Sequence, residues 1–244
     1  MIRIGLVALS LIAASFASAQ DITSVASKAQ SAYLSGNTAE LTRLAATTSA
    51  WSKSQNTKEL YTHAYVQFRI LQLAIYAKRK SDAERAGDAC NETLDLALKR
   101  DPKSAEAHAL QSACYGYLAN LGGMGAIRNG SRSGKSIEAA LALDARNPRV
   151  VLIDGFGVYF RPKFVGGDKA KGCSRFKEAA ASFDASGAAG APSPAGVSWG
   201  AAESHYWTGR CASDAGDAAG ARREFERALT LAPEFSAAAK ALGR

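Results

Sequence analysis

Histidine is scarce in this chain, with three residues among 244: His63, His108 and His205. They are remote from one another and none has a partner at ligand spacing, and there is no C-x-x-C pair. No metal centre is therefore expected. The nucleophile pattern G-x-S-x-G and the metalloprotease pattern H-E-x-x-H are both missing. No catalytic residues emerge, so the expectation is a protein that is not an enzyme and needs no cofactor. Past the first twenty residues no apolar run approaches the ~20 residues that a membrane-spanning helix requires, which limits membrane contact to the peripheral kind. Lysine and arginine outnumber aspartate and glutamate by 30 to 22. No aromatic-interleaved basic stripe accompanies that excess, so nucleic acid is not an expected partner.

What the chain has in abundance is alanine, 51 residues. Alanine has the highest helix propensity, and its small side chain lets helices approach closely. β-branched runs are few. Val150-Val151-Leu152-Ile153 follows a helix-type start at Asn147-Pro148. The composition points to an all-α fold.

The first segment reads as a signal peptide over residues 1–19. Arg3 supplies a short positive region, residues 4–16 are mostly apolar, and Ala17-Ser18-Ala19 is a small-x-small cleavage site. No cysteine follows to accept a lipid. The expected product is a single helical domain over residues 20–244, periplasmic or secreted after cleavage near Ala19.

Helices are expected over residues 21–34, 38–49, 57–80, 83–100, 102–121, 136–144, 148–160, 168–185, 199–215, 218–231 and 233–242. Their starts are marked by Asn56, Asp101-Pro102, Asn147-Pro148 and Asp168. Glycines between 122 and 134 predict a break, and residues 186–198 a loop. Cys90, Cys114, Cys173 and Cys211 allow three pairings. In an antiparallel helix pair, residues equidistant from the turn share a level. Cys90 and Cys114 each lie twelve residues from Pro102; Cys173 and Cys211 each lie nineteen from Pro192. The register therefore favours Cys90–Cys114 and Cys173–Cys211 over four free, buried thiols.

Residues 202–239 hold the best repeat unit. Tyr206-Trp207-Thr208-Gly209 is followed by Gly216-Asp217, then Ala221, Phe225, Ala228-Leu229 and Pro233. This resembles the tetratricopeptide pattern of two helices joined by a short turn. A weaker copy runs through Gly87-Asp88, Cys90, Leu94, Ala97-Leu98 and Pro102. The closing X-Pro steps are 46 and 85 residues apart rather than 34, so the expected architecture is a short, irregular α-solenoid of stacked tetratricopeptide-like hairpins. A narrower likeness rests on Asn147-Pro148-Arg149 through Tyr159, then Pro162 to Asp168 and Ser198-Trp199-Gly200. Over residues 146–233 the chain is similar to exported bacterial tetratricopeptide-like proteins that include the T-component of TRAP-type solute transporters. That resemblance implies a ligand-binding scaffold with an apolar tunnel.

Asn129-Gly130-Ser131-Arg132-Ser133-Gly134-Lys135-Ser136 nearly fits a phosphate-binding loop, but Asn129 replaces the first glycine and no strand precedes it. It reads as a basic loop in which Arg128, Arg132 and Lys135 meet an acidic partner or anionic lipid, or stay solvated. Asp154 interrupts an apolar stretch and is expected to pair with Arg161, with a place in the lining of a ligand pocket as the alternative. Arg161, Lys163, Gly166 and Gly167 precede the helix capped by Asp168, either as a plain turn or as an anion site. Phe156, Tyr159, Phe160, Trp199 and Trp207 are candidates for lining a ligand site, with core packing as the alternative. The functional expectation is a binding or scaffold protein engaging a protein or peptide in a helical-repeat groove; the alternative is a small-molecule or lipid binder with an enclosed apolar tunnel.

Overall fold

A computed structural model describes residues 7–187, 193, 194, 196 and 198–244, with side chains from residue 21 onward. The start of the expected leader, Arg3 included, and Pro192 lie outside the described residues. The helices are α1 (Val7–Ser35), α2 (Thr38–Thr47), α3 (Thr57–Tyr76), α4 (Lys80–Arg100), α5 (Ala105–Asn120), α6 (Ala126–Asp144), α7 (Pro148–Phe160), α8 (Lys169–Ala185), α9 (Ala201–Asp214), α10 (Ala218–Leu231) and α11 (Ser236–Ala241). Short 3₁₀ turns cover Ser49–Lys53 and Lys163–Val165. No strand occurs among the described residues.

Short polar side chains start most of these helices. Asn37, Asn56, Ser104, Asn147, Asp168 and Asp217 each accept a hydrogen bond from a first-turn amide, satisfying donors that the helix leaves free. The expected start at Pro102 is corrected here: Pro102 lies in the turn, and Ser104 caps α5. The expected break over residues 122–134 is also shorter than the glycines imply. Only the turn before Ala126 is open, and α6 runs through Gly130 and Gly134. Arg128, Arg132 and Lys135 therefore sit on a helix and not in a loop. Tertiary contacts override the glycine penalty there. The Ser112 hydroxyl donates to the Ser133 carbonyl and the Ser133 hydroxyl to the Ser112 carbonyl, both at 2.9 Å, while Ser136 donates to Gln111 at 3.0 Å.

Consecutive helices pack as antiparallel hairpins, α3/α4, α5/α6, α7/α8 and α9/α10, and the hairpins stack side by side. This is the tetratricopeptide-like arrangement. The first helix of each hairpin lies on the inside of the curve, and α3 and α7 are buried on most sides. The second helices bury one stripe, as in α10, where Gly220, Ala221, Phe225 and Ala228 face inward. Close seating needs glycine at particular points. A Cβ on Gly172 of α8 would lie 2.5 Å from Cβ of Tyr159 and 2.8 Å from its Cα on α7.

Both expected disulfides form, Cys90–Cys114 between α4 and α5 and Cys173–Cys211 between α8 and α9, with Cα atoms 6.5 and 5.8 Å apart. Paired cysteines of this kind belong to oxidising, extracytoplasmic compartments. The curve then closes on itself. Tyr33 and Leu34 of α1 share a buried cluster with Ala202, Ala228, Phe235 and Ala238, and the Ser236 hydroxyl donates to the Leu34 carbonyl at 3.1 Å. The first helix thus meets the last. Among the described residues no helix is long and apolar enough to cross a membrane.

Candidate functional site

Closing the curve brings residues distant in sequence together inside it. At the centre lies Arg69 of α3, 2 % exposed. Its guanidinium donates to Glu203 of α9 at 2.5 Å, to Gln30 of α1 at 2.6 Å and to Gln72 at 2.7 Å. Tyr65 donates to Gln30 at 2.5 Å, and Gln30 donates to Glu203 at 3.0 Å. The other Glu203 oxygen accepts from the Gly200 amide at 3.1 Å. Burial works against the Arg69 charge, but the surrounding Tyr65, Glu203 and Tyr33 outweigh it and hold the guanidinium above its ordinary range. Burial also pushes the Tyr65 phenol up to about 12. A buried ion pair survives only when its remaining donors and acceptors are satisfied, and this one is tied on several sides.

Trp199 covers this centre. Its indole N–H donates to the Tyr61 hydroxyl at 3.3 Å, and its ring packs on Tyr65 and Phe68. The guanidinium carbons of Arg69 and Arg149 lie 5.4 and 5.6 Å from the ring centre. Arg149 is itself paired with Glu106 at 3.0 Å. Trp199 is 3 % exposed, so this candidate ligand residue belongs to the core.

Above the floor made by Arg69 and Trp199 stands a shelf of half-exposed aromatic rings on the inner helices. Phe156 and Phe160 of α7 meet Trp207 of α9 edge-on, with ring centres 5.5 and 5.3 Å apart. Tyr206 packs on Trp207 at 5.7 Å. Tyr117 of α5 packs on Phe68 at 6.0 Å and accepts from Gln72 at 3.0 Å. Tyr76 at the end of α3 completes the set; its ring is exposed while the phenol turns toward Tyr33 and Tyr117, and the Tyr33 phenol and burial hold its hydroxyl well above the usual range. Phe160 is 45 % exposed, and Phe156, Tyr117, Tyr206 and Trp207 are half-buried. Arg210 edges the shelf, donating to Tyr206 at 3.2 Å and lying over Trp207. The shelf can hold a planar apolar group against rings and meet a carboxylate with a cation.

The other sequence candidates fall elsewhere. Tyr159 is buried beneath the shelf and donates to Asp214 at 3.3 Å. Asp154 pairs with Arg175 of α8 at 2.8 Å, not with Arg161 as expected; α8 packs along α7 and brings Arg175 to the face that Asp154 occupies. Arg161 ends α7. Gly166 adopts φ +88° and closes the turn, and a Cβ on Gly167 would meet the Arg161 carbonyl oxygen at 1.7 Å. These two glycines are required by the chain's own path, and Asp168 takes up the Lys171 amide at 3.0 Å. Lys163 is exposed at the turn. Arg132 lies over the Tyr115 ring.

Two open clefts lie away from the aromatic shelf. One of about 660 Å³ is lined by Lys58, Lys103, Glu106, Asp144 and Asn147, at the opposite end of the hairpins. The other, about 340 Å³, lies between the 3₁₀ turn, α3 and α4 near His63.

Arg69, Glu203 and Arg149 carry the site's architecture, and sequence reading missed them. One signal was present: Arg69 interrupts the apolar run Phe68-Arg69-Ile70-Leu71 just as Asp154 interrupts its own.

The fold is that of a tetratricopeptide-like helical solenoid. Among solved structures the chain is similar to the HusA haemophore from Porphyromonas gingivalis, with a TM-score of 0.65 at 17% identity over 80% of this chain and 93% of that one. It is also similar to a thermophilic TPR protein of Thermus thermophilus, with a TM-score of 0.50 at 15% identity over 85% and 89% of the two chains. No family model matches the sequence, and no curated protein matches it. At these identities the likeness establishes the fold.

Proposed function

We propose that this chain is an exported binding protein, released by cleavage near Ala19 into the periplasm or the medium, and that it is not an enzyme. Its ligand is a flat, largely apolar small molecule held on the aromatic shelf. The observation that carries this reading is the cluster in which half-exposed Phe156 and Phe160 of α7 meet Trp207 and Tyr206 of α9, with Tyr76 and Tyr117 beside it. Aromatic faces with a few placed polar groups are the usual lining of a small-molecule site. Trp199 and the Arg69–Glu203 pair are buried beside these rings, so the exposed surface here is made of ring faces, which favours a flat ligand over an extended peptide. A neighbour named as a haemophore supports testing a tetrapyrrole first.

The experiment is a titration of the purified mature protein with haem, followed by the Soret band and by quenching of tryptophan fluorescence. Saturable binding is expected, and the pair Phe160→Ala and Trp207→Ala should weaken it at least tenfold, since each buried ring is worth roughly 1.5–3 kcal/mol. Unsaturable quenching, or full affinity in the double variant, would overturn the assignment to this shelf.

A further inference from the structure

Alternation of hairpin turns puts the α3–α4, α5–α6 and α7–α8 turns at one end of the molecule, because the disulfide-linked α4 and α5 are antiparallel and α5 and α7 run the same way. That end carries most of the exposed large apolar side chains. Met124 and Ile127 at the α5–α6 turn are 103 % and 89 % exposed; Phe164 and Val165 at the α7–α8 turn are 89 % and 52 % exposed. The two turns are neighbours, with α5 packed against α7. Nothing in the core needs these side chains outside, and apolar groups collected at one end mark a contact surface.

Charge selects the occupant. Arg128 follows Ile127, Lys163 precedes Phe164, and Lys169 and Lys171 follow on the first turn of α8. The acid in these two turns, Asp168, is used up as the cap of α8. Apolar prongs ringed by cations fit an anionic bilayer: the prongs enter the acyl boundary and the lysine and arginine heads stay with phosphate. A second copy presenting the same end would oppose cation to cation. We infer that the hairpin-turn end of this protein docks on an anionic phospholipid surface, with Met124, Ile127, Phe164 and Val165 inserted and Arg128 and Lys163 on headgroups. This does not rest on the ligand assignment, although Tyr76 and Phe160 place the open side of the shelf near the same end.

The test is flotation of the full mature protein with vesicles of phosphatidylcholine alone or with about 30% phosphatidylglycerol. Binding to the anionic vesicles should exceed binding to the neutral ones at least tenfold. I127S combined with F164S should lower it about tenfold at low and high salt alike. K163E combined with R128E should lower it at low salt, with the difference fading at about 0.5 M salt as screening sets in. All four side chains are exposed, and an unchanged melting temperature verifies that the variants fold. Equal binding to both vesicles, no binding, or indifference to both double variants overturns the inference. So does capture of an acidic protein through these residues without vesicle binding.

Discussion

His63 stands out among single residues because its environment gives stability a pH dependence. It is buried, 4 % exposed, with Nδ1 2.9 Å from the Thr48 hydroxyl. Burial lowers its pKa below the ordinary histidine value, and a hydrogen bond to the Thr48 backbone opposes this in part. The unfolded chain takes up that proton near pH ~6.5 while the folded one resists it. The contribution is therefore fully present above about pH 6.5 and is lost as pH falls toward the folded value. Thermal melts at pH 8 and pH 5 should show a larger drop for the native protein than for His63→Gln. Equal drops would show that His63 carries no part of the acid sensitivity.

Helix pairs are where the covalent ties act. Cys173 and Cys211 close a loop of 38 residues between α8 and α9, and a loop of that size corresponds to about 4 kcal/mol by chain entropy. Replacing both with serine should cost about 3–4 kcal/mol in denaturant unfolding, and a loss below 1 kcal/mol would mean that helix packing alone sets the register. At this scale much was legible beforehand. Asn147-Pro148 and Asp168 marked helix starts because their chemistry is local, and both disulfides followed from equal distances to a turn. The α6 helix was misjudged because Gly130 and Gly134 read as breakers, and the serine contacts from α5 that hold it are not local. The aromatic candidates Phe156, Phe160 and Trp207 were legible as an inventory. Their grouping as one site was read correctly; that Tyr76 and Tyr117 lie beside them was not, since it depends on how far the solenoid curls.

For the whole molecule that curl is the decisive feature. Open solenoids are held by nearest neighbours and can unfold in parts. Here Arg69 on α3 meets Glu203 on α9, and α1 meets α11, so the two ends of the array share a core. Denaturant unfolding followed by far-UV circular dichroism and by tryptophan fluorescence should give coincident single transitions. Arg69→Met should lose about 3–5 kcal/mol by stranding the Glu203 charge, and adding Glu203→Met should recover much of it. Non-coincident transitions in the native protein would show that the closure contributes little.

The two sulfur bridges have a mechanical consequence. One joins the α3/α4 hairpin to α5/α6, and the other joins α7/α8 to α9/α10. The solenoid is thereby divided into two covalently riveted halves, and the seam between α6 and α7 has no such rivet. Across that seam the arginine–glutamate contact serves as a clasp. A widening of the bowl at α6–α7 would have to undo that clasp together with the Arg149–Glu106 pair that spans the same seam.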